Sequence, residues 1–301
     1  MTTPSLDDLA ALGREFRAGG TDLMSRTVPS REYADLSGTP ELTGIEWSAD
    51  GSARIGALTT VAEIAEDALI RAAYPALAGT AAGLATPQVR AAGTVGGNLL
   101  QRNRCAYFRN PAFSCHQDGG DSCPARAGTM LNPTVIESGP CLAPHPSSLA
   151  MALIGYDATA EVRGRGAVPV RDLYGDDPGA DHLLAPGEIL VGVGLPVPVP
   201  GERAAYHRAI GRAEAEWPLV EATARVVVEG DRITLAAVAV GGVARTPLRL
   251  PEVEAALLAG EPLDRAAALA ADRCSPSPDA AYKVALLTGT VLEVLERCLD
   301  D

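Results

Sequence analysis

Four of the six cysteines lie close together in the chain and have a side-chain chemistry suited to metal binding. They span 37 positions (141 − 105 + 1) in the pattern C-x9-C-x7-C-x17-C: Cys105, Cys115, Cys123 and Cys141. Tetrahedral zinc sites usually contain a tight pair of cysteines, and this pattern has none. A 4Fe-4S cluster takes one thiolate per iron and accepts wider spacing. The spacing therefore favours a 4Fe-4S cluster, with a zinc site or four unligated thiols as alternatives.

The segment that carries these cysteines, residues 101–146, is rich in proline and glycine and has no regular periodicity. Loops of this length are uncommon in compact domains unless they serve a function. A bound cluster would hold the segment in place, because metal-binding free energy becomes folding free energy there. Four arginines could offset the negative charge of such a cluster: Arg102, Arg104, Arg109 and Arg126.

Two short glycine-rich stretches have a composition suited to phosphate. The first is GGT at 19–21, and the second is TVGGN at 94–98. Paired glycines let backbone N–H groups approach a pyrophosphate without interference from a Cβ atom. Neither stretch matches the Rossmann or the P-loop fingerprint, so a nicotinamide or ATP site loses its main support. Together the two stretches favour another nucleotide cofactor.

The composition limits the classes of partner. The chain has 301 residues, 47% of them hydrophobic, and a formal net charge of −13. An acidic surface disfavours nucleic acid and anionic membranes. The longest nearly apolar run, residues 233–244, is shorter than the roughly 20 residues of a membrane span. The first residues lack a signal-peptide pattern. We therefore expect a cytoplasmic protein without nucleic-acid or membrane partners.

Capping signals and apolar periodicity place the glycine stretches among short helices and strands. Ser5 with Asp8, and Thr60 with Glu63, have capping spacings that predict two helices, the second running to about Leu69. The sequence PVPVPG at 196–201 predicts a domain boundary, because three prolines cannot lie inside a β-ladder. Beyond it, a hairpin of residues 223–228 and 233–243 precedes several helices.

Several motifs that occur in order resemble one family, the FAD-binding subunits of xanthine dehydrogenase and carbon monoxide dehydrogenase. They are RAGGTDL at 17–23, RIGALTT at 54–60, ATPQVR at 85–90, GTVGGNL at 93–99 and PGEIL at 186–190. QRNRC at 101–105, three further cysteines and HPS at 145–147 are similar to the branch with an extra 4Fe-4S cluster. That branch includes 4-hydroxybenzoyl-CoA reductase and periplasmic aldehyde oxidoreductase.

The resemblance implies an α+β fold in two parts. Residues 1–199 would form a two-subdomain FAD-binding domain of the vanillyl-alcohol-oxidase type, with the iron-sulfur loop inserted at 101–146. Residues 203–301 would form a smaller domain of the carbon monoxide dehydrogenase flavoprotein type, with an antiparallel sheet and helices.

The resemblance also implies the cofactor-binding residues. FAD would lie between the two N-terminal subdomains, with Leu84 and Leu190 as apolar contacts. Ser148 and Arg208 stand where the family usually has Asp and Lys, and the serine would lose a charge-assisted hydrogen bond. Both glycine stretches would contact the phosphates and the ribityl chain: Ala18, Gly19, Gly20, Thr21, Asp22 and Leu23, and Thr94, Val95, Gly96, Gly97 and Asn98.

The function implied is that of a FAD-dependent oxidoreductase subunit with a 4Fe-4S cluster held by the four cysteines. Electrons would come from a molybdenum-cofactor large subunit and a 2Fe-2S small subunit, and the FAD would pass them to an external acceptor. Two alternatives remain. A short segment before Ser5 and another between Met24 and Tyr33 also suit a stand-alone flavoenzyme that acts on a small molecule. The cysteines could instead stabilise a non-catalytic binding module through zinc.

Overall fold

The structure is a computed structural model that describes residues 5–25, 32–136 and 139–300. It has an α+β fold with three regions, and each region is built on one β-sheet. The first region is a two-stranded parallel pair with a small core of its own. Its elements are α1 (Leu6–Ala11), β1 (Glu15–Arg17) and β2 (Tyr33–Asp35).

The second region is a five-stranded antiparallel sheet with the order β3-β4-β7-β5-β6, packed against helices. Its strands are β3 (Ile45–Trp47), β4 (Ala53–Gly56), β5 (Thr159–Arg163), β6 (Gly166–Pro169) and β7 (Ile189–Leu195). Between β4 and β5 come α2 (Val61–Glu66), α3 (Ala68–Ala73), α4 (Pro75–Gly83), α5 (Pro87–Ala92), α6 (Val95–Leu99) and α7 (Ser148–Gly155).

The third region is a four-stranded antiparallel sheet with the order β11-β10-β9-β8, covered by helices. Its elements are β8 (Glu202–Ala209), β9 (Val220–Glu229), β10 (Arg232–Gly241), β11 (Leu248–Arg249), α8 (Pro251–Leu258), α9 (Leu263–Ala268) and α10 (Tyr282–Leu299). The predicted hairpin is β9 paired with β10. The Arg225 guanidinium joins this sheet to the second region, because it donates to the Gly155 carbonyl at 2.7 Å and pairs with Glu202.

Capping chemistry explains where the short helices begin. Both predicted capping boxes form, Ser5 with Asp8 on α1 and Thr60 with Glu63 on α2. The prediction that the second helix runs to about Leu69 is wrong. The chain breaks at Asp67, whose carboxylate accepts from the Ile70 N–H at 2.8 Å and starts α3 as a new helix.

The cysteine loop, defined as residues 101–146, contains two short 3-10 turns and no α-helix or strand among its described residues. Its final part is anchored on the third region, where the N–H groups of Val135 and Ile136 donate to the Val243 carbonyl. A small apolar cluster of Ala125, Met130, Leu142 and Ala143 lies inside the loop. Apart from Val135 and Ile136, which are buried in the core of the third region, the described part of the loop has only this small apolar cluster to stabilise it.

Candidate functional site

A long cleft with two lobes lies where the three regions meet. The larger lobe, about 500 Å³, has Leu84, Ser148, Tyr206, Arg208 and Trp217 in its lining. The smaller lobe, about 310 Å³, lies against the first region and the end of β7. Five residues line both lobes and mark the junction between them: Thr21, Asp22, Thr94, Gly97 and Gln101. An elongated ligand with two bulky ends and a narrow middle suits this shape.

The cleft brings together the two glycine stretches that the sequence singles out. All six residues from Ala18 to Leu23 line the smaller lobe, and Leu190 lies beside them. Thr94, Gly97 and Asn98 line the larger lobe, and Gly96 lines the smaller one. Val95 is the exception. Its side chain is buried in the core of the second region, and its N–H donates to the Thr59 carbonyl at 2.9 Å.

The first glycine stretch, residues 18–23, offers free backbone donors to the cleft. Within the described ranges 5–25, 32–136 and 139–300, the N–H groups of Gly19, Gly20 and Thr21 have no acceptor in the protein. Gly20 has a φ of +75°, a backbone conformation that a residue with a Cβ rarely adopts. Consecutive N–H groups in such a turn form an anion-binding concavity. The stretch can therefore hold a phosphate.

The second glycine stretch, residues 94–98, is helical rather than the loop that the sequence suggests. Thr94 caps α6, and its hydroxyl accepts from the Gly97 N–H at 3.1 Å. The N–H of Gly96 donates to Ala57 and that of Asn98 to Thr94. These amides are therefore already engaged within the protein, and this stretch offers mainly the side chains of Thr94 and Asn98.

The larger lobe is positive although the chain as a whole is acidic. Among the described residues, four arginines line it against two carboxylates: Arg90, Arg104, Arg109 and Arg208, with Asp22 and Glu216. The Arg104 guanidinium lies 4.9 Å from the centroid of the Trp217 ring, at the edge of the lobe. Excess positive charge in a cleft attracts an anionic ligand such as a nucleotide diphosphate.

A buried carboxyl that sequence reasoning missed lies behind the larger lobe. Glu221, on β9, is 2% exposed and accepts a hydrogen bond from the Tyr206 hydroxyl at 2.9 Å. Burial raises the pKa of Glu221 to about 7, although the hydrogen bonds from Ser148 and Tyr206 and the charge of Arg208 oppose this rise. The sequence signal for this site was a glutamate within the apolar strand β9, since a buried carboxyl group needs hydrogen-bond partners.

All four candidate cysteines line one small cavity inside the cysteine loop. Cys115 is buried and the other three are partly buried, and all four are free thiols. Burial raises the pKa of Cys115 and of Cys141. Among the described residues, no three His, Cys, Asp or Glu side chains are placed to hold a single metal ion.

The arginines near the cysteines bind carboxylates and carbonyls of the protein, a role that sequence reasoning did not assign to them. Asp181, whose side chain is fully buried, pairs with Arg102 at 2.8 Å and with Arg245 at 2.6 Å. Burial would raise the pKa of Asp181, but these two charges outweigh it and lower the pKa to about 2. Arg126 donates to the carbonyls of Gly139 and Pro140.

Comparison with known proteins identifies the family. A model described as the FAD binding domain in molybdopterin dehydrogenase matches residues 9–198. This chain belongs to the FAD-binding subunits of the xanthine and carbon monoxide dehydrogenase family. The remainder of this FAD-binding subunit, residues 204–298, matches the CO dehydrogenase flavoprotein C-terminal domain.

Individual relatives agree with this assignment. The FAD-binding subunit is 34% identical to the aldehyde oxidoreductase FAD-binding subunit PaoB of Escherichia coli, over 82% of this chain and 80% of that one. It is 27% identical to the carbon monoxide dehydrogenase medium chain of Afipia carboxidovorans, over 90% and 83%. A crystal structure of Cu,Mo-CO dehydrogenase shares the fold, with a TM-score of 0.75 at 23% identity, over 98% of this chain and 95% of that one.

Family membership thus supports both FAD binding and an oxidoreductase role, and the shape of the cleft agrees with a FAD ligand. The relatives are FAD-binding subunits or medium chains of oxidoreductases. None of the helices in the described part of the chain combines the length and apolar character that a bilayer crossing needs.

Proposed function

We propose that this chain is the FAD- and 4Fe-4S-containing electron-transfer subunit of a cytoplasmic molybdenum-hydroxylase-type oxidoreductase. The observation that carries the proposal is the convergence of Cys105, Cys115, Cys123 and Cys141 on one cavity, next to a cleft shaped for a dinucleotide. Bound FAD supplies the electron-accepting and electron-donating chemistry. The chain supplies placement, charge and exclusion of water.

Within this proposal, the first glycine stretch binds the diphosphate through the N–H groups of Gly19, Gly20 and Thr21. Thr94 and Asn98 bind from the opposite side, since both line the cleft at or beside its narrow junction. Ser148 and Arg208 contact the ligand in the larger lobe, with Leu84 as an apolar wall. Leu190 provides an apolar wall in the smaller lobe. We propose two domains, 1–199 and 203–301, on either side of the proline-rich segment.

The cysteine cavity measures only about 20 Å³, so this proposal requires the loop to widen around a cluster. Among the described residues around the cysteines, the loop has only a small apolar cluster to resist such a movement. Cluster binding and final folding of the loop would then be one event. The four thiols must also lose their protons, and the raised pKa values of Cys115 and Cys141 make metal uptake release protons.

Electrons would reach this subunit from substrate oxidation at a molybdenum cofactor on a large partner, through 2Fe-2S clusters on a small partner. They would leave to an external acceptor. The names of the relatives support the subunit role, since they are a FAD-binding subunit and a medium chain. Pull-down of the tagged chain from its native host tests this. Recovery of both partners is expected, and recovery of the chain alone would favour the stand-alone flavoenzyme.

The cofactor content is tested by one absorption spectrum of anaerobically purified protein before and after dithionite. We expect flavin and iron-sulfur bands that both bleach, with about four iron and four sulfide per chain. A Cys123→Ser variant should lose iron, whereas Cys274→Ser, outside the cavity lining, should keep it. Zinc without iron or sulfide would contradict the proposal.

A further inference from the structure

The carboxylate of Asp22 connects the first glycine stretch to the cysteine loop. It pairs with Arg104 at 2.8 Å and with Arg109 at 2.9 Å, and it accepts from the Arg102 N–H at 3.3 Å. Only 12% of the Asp22 side chain is exposed, so solvent screens these ion pairs weakly. Asp22 follows Gly19, Gly20 and Thr21 directly in the chain.

Of the two arginines that pair with Asp22, Arg109 is itself held by the turn around Cys105. The Arg109 N–H donates to the Cys105 carbonyl at 3.0 Å, and its guanidinium donates to the Asn103 carbonyl at 2.8 Å. The Asn103 side chain in turn accepts from the Cys105 N–H at 3.0 Å. Arg104 is the neighbour of Cys105 in the chain. The Arg104 guanidinium is hydrogen-bonded to Gln101 and Ser25. A change in the conformation of this turn therefore acts directly on Arg109 and reaches Arg104 through the backbone.

We propose that Asp22 couples the two cofactor sites, so that FAD binds more tightly when the cysteine loop is loaded with its cluster. The inference rests on the proposed function. A loaded loop holds Arg104 and Arg109 against Asp22, and Asp22 keeps the first glycine stretch in its phosphate-binding conformation. Asp22 is a positioning residue in this scheme, because it acts through backbone donors. Linkage requires the reverse effect as well: bound FAD tightens cluster retention by the same factor.

The test measures FAD affinity in the full-length protein with and without iron. Flavin-depleted parent protein is titrated with FAD by fluorescence before chelation of the iron, after chelation, and after reconstitution with iron and sulfide. We expect the dissociation constant to rise at least 10-fold on chelation and to return on reconstitution. In Asp22→Asn we expect weak binding in every state and an iron effect below twofold. Asp22→Glu, which keeps the charge, should recover part of the iron effect.

Two further variants test whether loss of any nearby carboxylate, or chelator treatment itself, could explain the change in FAD affinity. Asp35→Asn removes another carboxylate near the first region, which pairs with Arg17 rather than with the cysteine loop, and should behave like the parent. Cys123→Ser should weaken FAD binding as chelation does, and adding Asp22→Asn to it should weaken binding no further.

The outcomes separate the two claims. Equal FAD affinity of iron-loaded and iron-depleted parent protein would overturn the coupling and leave the proposed function intact. Additive effects of Cys123→Ser and Asp22→Asn would overturn it too, because two steps of one link cannot add. A parent protein without iron and sulfide would overturn the proposed function itself, and its coupling with it.

Discussion

The two glycine stretches look alike in the sequence, yet different forces hold them in the structure. The second stretch, 94–98, is fixed by hydrogen bonds of its amides, which donate to the Thr59 and Ala57 carbonyls and to Thr94. The first stretch, 18–23, keeps its leading amides free for a ligand and is held by the ion pairs of Asp22. We call the second stretch, 94–98, the platform. We call the first stretch, 18–23, the donor loop, and its position depends on contacts with the cysteine loop.

This difference assigns separate tasks to the two sides of the cleft. Under the proposed function, the second stretch tolerates small changes in ligand contacts, whereas the first must keep its N–H groups aligned with the phosphate oxygens. The first stretch also approaches the residues just before the second one: a Cβ atom on Gly19 would lie 1.7 Å from the Ala92 carbonyl oxygen. A substitution at Gly19, where two backbone segments approach closely, should therefore disturb the first stretch most.

The largest effect is expected from Gly19→Ala. No side chain can yield to the added methyl group, because the clash is with main-chain atoms of Ala92 and Gly93. The first stretch must move away from the platform, and its N–H groups leave the junction of the lobes. We expect FAD affinity to fall at least about 100-fold, or about 2.8 kcal/mol, as measured by fluorescence titration.

Gly289→Ala is the matched control for this substitution. Gly289 lies on the exposed face of α10, and a Cβ there meets no atom within 4 Å. Helix propensity predicts a gain in the free energy of unfolding of roughly 0.5–1 kcal/mol, with unchanged FAD affinity. Parental FAD binding by Gly19→Ala would show that the first stretch does not hold the diphosphate.

The sequence singled out the two glycine pairs and predicted FAD, because the composition and order of the motifs follow a known pattern. It could not predict that Val95 faces the core, since the helical state of 95–99 follows from the Thr94 cap and from contacts with the distant β4 segment. The sequence also could not predict the arginines that form ion pairs with Asp22. They lie about eighty residues away in a loop without periodicity, and arginines beside cysteines suggested charge compensation of a cluster.

The larger-lobe side of the cleft contains a buried group that should make stability depend on pH. Glu221 bonds to Ser148 behind the larger lobe, and the adjacent Ser147 hydroxyl donates to Asn98 of the second stretch at 2.7 Å. The pKa of Glu221 is raised from 4.5 to about 7 in the folded protein, so the fold retains a proton that the unfolded chain releases. Its contribution to stability is complete below pH 4.5 and is lost as pH rises towards 7.

Glu221→Gln isolates this contribution, because it keeps an acceptor for the Tyr206 hydroxyl but cannot titrate. Between pH 5 and pH 7 we expect the parent to lose up to about 2 kcal/mol of unfolding free energy relative to the variant. Urea unfolding of both proteins at the two pH values provides the measurement. His145 changes stability in the opposite direction, since burial lowers its pKa to about 3, but it does so equally in both proteins. Parallel pH profiles would show that Glu221 does not titrate in this range.

The smallest effect is expected at the cap of the platform. Thr94→Ala removes the acceptor of the Gly97 N–H, and loss of such a cap costs about 1 kcal/mol of unfolding free energy. Thr94→Ser keeps the hydroxyl and should restore most of this stability in urea unfolding. Because the amides of Val95 and Gly96 remain bonded to the Thr59 and Ala57 carbonyls, the platform should persist. FAD affinity should then fall no more than about tenfold. A fall as large as that of Gly19→Ala would mean that the platform, and not the donor loop, carries the phosphate.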